Sequence, residues 1–336
     1  MNRTHQLGAA LLVIAMISDV ACAQSLDALL DDYRDAKISH QQTSLLNAIA
    51  AASDSGVDAQ IAGLAVGLQS EHVSVRNHAV GLIGKWTLTN ESAVTALCSH
   101  CDVVAAHISK NFAKLQAVEK RLGSPASPTK GQKRYLDAMD KYTKSLDRMN
   151  VLIAEAKKLG STIPPLVASL REVRDDRAVD GVAVLLPLSS RKQLPAARAA
   201  LTEWGTVASL DALCGRLTYY DDSLALQKRR ITKAQRKRPG SPPKGTRNKS
   251  AWRDRQKTMF AKTVATLEAQ QTGLLENRGE DFDAVRQFAK HWKLPEPPAK
   301  NVTSGFTLWQ RGAAKELPNT LKPAEAKAGA ADSTGG

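Results

Sequence analysis

The chain carries one pattern twice. Ala96-Leu97-Cys98 returns 116 residues later as Ala212-Leu213-Cys214, and each triplet follows a tryptophan, Trp86 and Trp204. Downstream of each cysteine, seam residues recur at alternating steps of four and three: Leu97, Cys101, Val104, Ile108, Asn111 and Leu115 against Leu213, Leu217, Tyr220, Leu224, Gln227 and Ile231. All six pairs keep the offset of 116. Both copies then enter a Pro/Gly/Ser loop with a lysine, Ser127-Pro128-Thr129-Lys130-Gly131 and Ser241-Pro242-Pro243-Lys244-Gly245, and leave it in a second helical run. A duplicated unit of about 115 residues restricts the fold severely, because each copy has to bury the same stripe in the same way.

Steps of four and three mark a helix packed at a shallow angle on a partner. The return run of the first copy keeps them through Tyr135, Met139, Tyr142, Leu146, Met149, Ile153 and Ala156. Two long antiparallel helical hairpins are therefore expected, coiled-coil-like, over 99–159 and 211–275. In the second, the return run Trp252 to Leu275 holds Phe260, Val264, Leu267 and Leu274 with Gln271 intruding, so its seam is less apolar. Composition agrees with an all-α fold: 43% of residues are hydrophobic but only 4% aromatic, which disfavours sandwiches and barrels built on aromatic and β-branched strands.

Upstream of each hairpin the sequence resembles HEAT-type helical repeats. The residues that carry the resemblance are Leu64 to Leu68, Val75-Arg76, Ala79, Leu82-Ile83 and Trp86, then Val182 to Leu186, Leu194, Ala197, Ala200-Leu201 and Trp204. The second copy lacks the arginine and has Pro195, which a first helical turn tolerates. The resemblance implies α-solenoid fragments whose helix pairs bury their faces by stacking on neighbours. The long hairpins are additions to such a unit. The expected organisation is a first repeat unit over 24–160, a second over 161–294, and a disordered tail over 295–336, where prolines give way to Ala, Gly and Ser.

Residues 1–23 place Arg3 and His5 before an apolar run from Leu7 to Ile17 and end in Ala21-Cys22-Ala23. That is the order of a secretory signal peptide, so an exported protein, periplasmic or extracellular, is expected to start at Gln24. Asp19 argues against a lipoprotein signal at Cys22. No other stretch approaches the roughly 20 apolar residues of a spanning helix, so no transmembrane helix is expected in the mature chain.

The net charge of +14 is concentrated. Residues 228–262 hold 14 Lys and Arg against the single acid Asp254, and residues 110–160 hold 12 against five. Those stretches carry +13 and +7, which leaves the remainder of the chain at −6. The expected anion-binding residues are Lys228, Arg229, Arg230, Lys233, Arg236, Lys237, Arg238, Lys244, Arg247 and Lys249, with Arg253, Arg255 and Lys257 beside them. Such a cluster suits an anionic polymer or an acidic protein, by counterion release and steering, and peripheral contact with an anionic membrane surface. Aromatic interleaving for single-strand binding is confined to Trp252. Nucleic acid enters as a partner only if the protein is not exported.

After cleavage the cysteines are Cys98, Cys101 and Cys214. Cys98-Ser99-His100-Cys101, with His107 nearby, is open to three uses: buried thiols or a local disulfide, a metal site built on Cys98, His100, Cys101 and His107, or a redox pair. The place of Cys101 on the seam favours burial. No nucleophile elbow, Gly-rich phosphate loop or HExxH is present, and no catalytic residue or cofactor is expected. The sequence thus describes a non-enzymatic exported scaffold or binding protein, with a thiol-redox or metal-binding protein as the alternative.

Overall fold

In the computed structural model, the described residues are 25–52, 55–121, 132–189, 192–236, 242, 247–298 and 303–321. The expected leader lies outside them. Every regular element among them is helical: α1 (Leu26–Asp35), α2 (Ser39–Ala51), α3 (Val57–Gly67), α4 (Val73–Gly84), α5 (Glu91–Arg121), α6 (Gln132–Gly160), α7 (Ile163–Arg171), α8 (Asp176–Leu185) with a 3-10 turn at Leu186–Leu188, α9 (Leu194–Trp204), α10 (Val207–Gln235), α11 (Lys249–His291) and α12 (Thr303–Lys315). None of these helices is long and apolar enough to cross a membrane. The described residues form two compact units: one takes in those up to Asn111, those of Ala154–Ala200 and Leu321, the other those of Phe112–Ile153 and Leu201–Thr320.

In the first unit, α1 to α4 pack on one another and α4 also packs on α7. Leu29, Leu46, Ile49, Leu64, Val75, Ala79, Ile83, Leu166 and Leu170 are buried there. The helices meet at small residues. A Cβ on Gly67 would stand 2.9 Å from Leu46 Cδ1, and one on Gly84 would stand 2.5 Å from Ser169 Oγ. The α4–α7 approach is pinned by Thr87 Oγ1, which donates to Gly84 O at 3.0 Å and to Ser169 O at 3.3 Å.

The long helices α5 and α10 begin at Glu91 and Val207, 116 residues apart, and each has a polar residue one position earlier to cap it. Asn90 Oδ1 accepts from the Ser92 N–H at 2.7 Å, and Thr206 Oγ1 from the Ser209 N–H at 3.1 Å. Such caps satisfy amides that the first turn leaves without helical partners. Along α5, Leu97, Cys101, Val104, Ile108 and Asn111 are buried; along α10, Leu213, Leu217, Tyr220, Gln227 and Ile231 are. On α6 the seam shifts near its end: Leu152 is buried, whereas Ile153, the residue the spacing selects, is 36% exposed.

Two expectations are corrected. The return run of the second copy does not stop near Leu275 but continues through α11 to His291. In the first copy the equivalent stretch breaks between α6 and α7 at Ser161-Thr162, just before Pro164-Pro165. Prolines remove amide donors and clash with a preceding turn; Arg278 to Asp281 contain none, so nothing there stops the helix. The second correction concerns 303–315, assigned by composition to the tail, which form α12. Ala313 and Leu317 are buried, Trp309 Nε1 donates to Pro295 O at 2.8 Å, and the Val207 N–H to Pro318 O at 3.1 Å. A few well-placed groups hold a segment that its average composition does not. Residues 322–336 lie outside the described ones.

Candidate anion-binding surface

The basic cluster belongs to the second unit, on α10 and α11. These helices pack along much of their length, and their polar contacts fix direction and register. Arg216 Nε donates to Asp281 Oδ2 at 2.9 Å, Arg278 Nε to Asp221 Oδ1 at 2.6 Å, and Gln227 Nε2 to Leu267 O at 2.8 Å and Gln270 Oε1 at 3.1 Å. Numbers rise along α10 as they fall along α11, so the helices are antiparallel. Extrapolating this register sets the end of α10 opposite about residue 262, and α11 thus runs roughly 20 Å past the last turn of α10 at 1.5 Å per residue.

The cations line this end. Lys228, Arg229, Arg230, Lys233 and Arg236 on the last turns of α10 are exposed, as are Arg247, Lys249, Arg253, Arg255, Lys257 and Lys262 around the first turns of α11. Lys237, Arg238 and Lys244 lie outside the described residues. Among the described residues, one ion pair occurs within the cluster, Lys257 Nζ to Asp254 Oδ1 at 3.8 Å. Between Asp222 and Glu268, Asp254 is the sole carboxylate in the sequence. The field here is thus almost uncompensated. On α6, by contrast, acids interleave with bases, as in the Lys144 Nζ to Asp140 Oδ2 pair at 2.8 Å.

The cysteines have a different character. Cys98, Cys101 and Cys214 are free thiols and all are buried. A Cβ on Gly181 of α8 would lie at ordinary contact distances, 3.5 Å from Cys101 Sγ and 3.6 Å from Cys98 Sγ, so α8 packs beside both sulfurs. Burial, aided by nearby Asp175, pushes the Cys98 thiol up to about 12, and burial also raises Cys101 and Cys214. Thiols so placed are protonated and poor nucleophiles. His100 is 6% exposed with Nε2 unpartnered, and burial, assisted by the Arg76 guanidinium, lowers it to about 4. His107 faces solvent instead. Among the described residues, no three His, Cys, Asp or Glu side chains are grouped so as to hold a metal ion.

Two features of the second unit have no local sequence signal. The Arg216–Asp281 pair, 5% and 2% exposed, joins residues 65 positions apart, and Arg216 also donates to the Tyr220 hydroxyl at 2.8 Å. Gly205, between α9 and α10, has φ +63° and lies beneath the Trp292 ring, whose Nε1 donates to Thr202 O at 2.7 Å. Comparisons with family models, curated proteins and solved structures give no match to this chain.

Proposed function

We propose that the protein is an exported, non-enzymatic helical-repeat scaffold that presents a basic helical end to an anionic or acidic partner. One observation carries this reading: among the described residues, eleven exposed Lys and Arg side chains at one end of the α10–α11 pair are accompanied by a single ion pair. Ordinary solvated helix faces alternate their charges. A face of one sign costs self-repulsion, which an anionic partner relieves by displacing counterions.

The HEAT-like part of the reading is supported by the serial packing of α1 to α4 and by the α4–α7 approach, with α5 and α6 intervening in sequence. In this view α5–α6 and α10–α11 are hairpins inserted into two copies of one unit. Their matched starts and matched buried positions favour a shared origin. Export rests on the leader, and N-terminal sequencing of the mature protein should begin at Gln24.

The test is retention on phosphocellulose and on heparin resin in rising salt. The full chain is expected to elute late, and a variant with the described cations of 228–249 changed to Gln should elute markedly earlier. Equal, early elution of both would overturn the proposal.

A further inference from the structure

Within the basic cluster, one face of α10 is organised differently from the rest. Ala225, Lys228, Arg229, Thr232, Lys233 and Arg236 line a groove of about 520 Å³. Their spacing places them on a single face, opposite the seam residues Tyr220, Gln227 and Ile231 that face α11. The four cations are exposed, and among the described residues none of them has a carboxylate partner. The other described lining residues, Ala225 and Thr232, bring a methyl group and a hydroxyl, and the Thr232 hydroxyl donates to Lys228 O at 3.0 Å.

Resting on the anion-binding reading above, we infer that this groove binds an extended polyphosphate chain along the axis of α10. Lys228, Arg229, Lys233 and Arg236 span about 12 Å of helix at 1.5 Å per residue. They stand at heights of about 0, 1.5, 7.5 and 12 Å on that scale, so the positive charge forms a line, not a point. Among the described residues, the lining has no aromatic side chain for stacking a base or sugar and no amide for reading one. A single line of cations then suits one slender chain whose every unit is a phosphate; a nucleic-acid duplex is denser, at one charge per about 1.7 Å of axis, but divides that charge between two strands that one line of cations does not follow. The two arginines supply planar forks for adjacent phosphate oxygens, and the two lysines act as compact charges.

The experiment uses the full chain and labelled long-chain inorganic polyphosphate, titrated at several salt concentrations. The quadruple variant K228Q/R229Q/K233Q/R236Q is compared with a control set on α11, R253Q/R255Q/K257Q/K262Q, and far-UV circular dichroism verifies the fold of both. The α10 set is expected to lose at least tenfold in affinity and to flatten the slope of log K against log salt by about 3, at roughly 0.7 per phosphate contact. The control set should lose less than threefold. Equal losses from both sets would overturn the groove as the site. Tighter binding of heparin, polyglutamate or phosphatidylglycerol vesicles than of polyphosphate would overturn polyphosphate as its ligand. Either result leaves the broader anion-binding reading intact, whereas failure of the unmodified chain to bind any of these probes at low salt removes both.

Discussion

The Arg216 guanidinium and the Asp281 carboxylate meet at 2.9 Å inside the second unit, with 5% and 2% of their side chains exposed. The pair ties the middle of α10 to the later part of α11, and Tyr220 completes it by accepting a hydrogen bond from Arg216 and placing its ring 5.4 Å from the guanidinium carbon. Buried charges cost desolvation energy, so the pair contributes more to the register of the two helices than to net stability.

Breaking one side is therefore expected to be worse than removing both. Asp281→Ala should cost about 3–5 kcal/mol by leaving Arg216 buried and uncompensated. Arg216→Met with Asp281→Leu should recover most of that loss. Urea unfolding monitored by circular dichroism checks both, and a single variant no less stable than the double would contradict the assignment.

Gly205 is the position in this unit where glycine is obligatory. Its left-handed φ of +63° and the overlying Trp292 ring leave no room for a Cβ. Gly205→Ala should destabilise by at least about 2 kcal/mol, combining backbone strain with displacement of the ring. Gly215, exposed in α10 with nothing within 4 Å of a Cβ, gives the opposite expectation. Gly215→Ala should be neutral or stabilise by up to about 1 kcal/mol, and denaturation midpoints of the two variants should move in opposite directions or differ sharply.

His100 makes the first unit sensitive to acid. Its folded value, lowered to about 4, lies below the ordinary value of 6.5, so the unfolded chain binds the proton more readily. The sign follows: no contribution above about pH 6.5, a growing penalty as pH falls through the window, and a plateau below about 4. The full penalty is about 3 kcal/mol at 1.36 kcal/mol per unit. Stability measured between pH 7 and pH 4 should fall accordingly, and His100→Gln should flatten the curve in that window.

The three cysteines should behave as core residues. With native protein at pH 8, a chromogenic disulfide reagent is expected to react with Cys98, Cys101 and Cys214 slowly, and with all three at once in denaturant. Rapid reaction of any in the folded state would contradict their burial and reopen the redox alternative.

How much of this was legible beforehand depended on whether the signal was local. The step of four and three located Leu97 to Asn111 and Leu213 to Ile231 because helical periodicity is written in neighbouring residues. It chose Ile153 over Leu152 because both are apolar, and only packing on a specific neighbour separates them. Charge density located the basic end, since sequence proximity on helices guarantees spatial proximity. The continuity of α11 depended on an absence of proline that apolar spacing does not register. The Arg216–Asp281 pair and the Gly205–Trp292 stack join residues 65 and 87 positions apart, and neither partner marks the other. Helix α12 was missed because averaging over 295–336 diluted Trp309, Ala313 and Leu317 in polar and small residues.

The most direct measurement of the central claim is the salt dependence of polyanion binding by the full chain, with and without the charges of 228–262. Fluorescence anisotropy with a labelled heparin fragment, repeated from about 50 to 200 mM salt, gives the slope of log K against log salt. The account predicts a slope of about −4 or steeper for the unmodified chain, corresponding to six or more neutralised anionic groups at roughly 0.7 each. It further predicts near-complete loss of binding when the exposed Lys and Arg of α10 and of the first turns of α11 are changed to Gln. Unchanged affinity in that variant, or binding indifferent to salt, would contradict it.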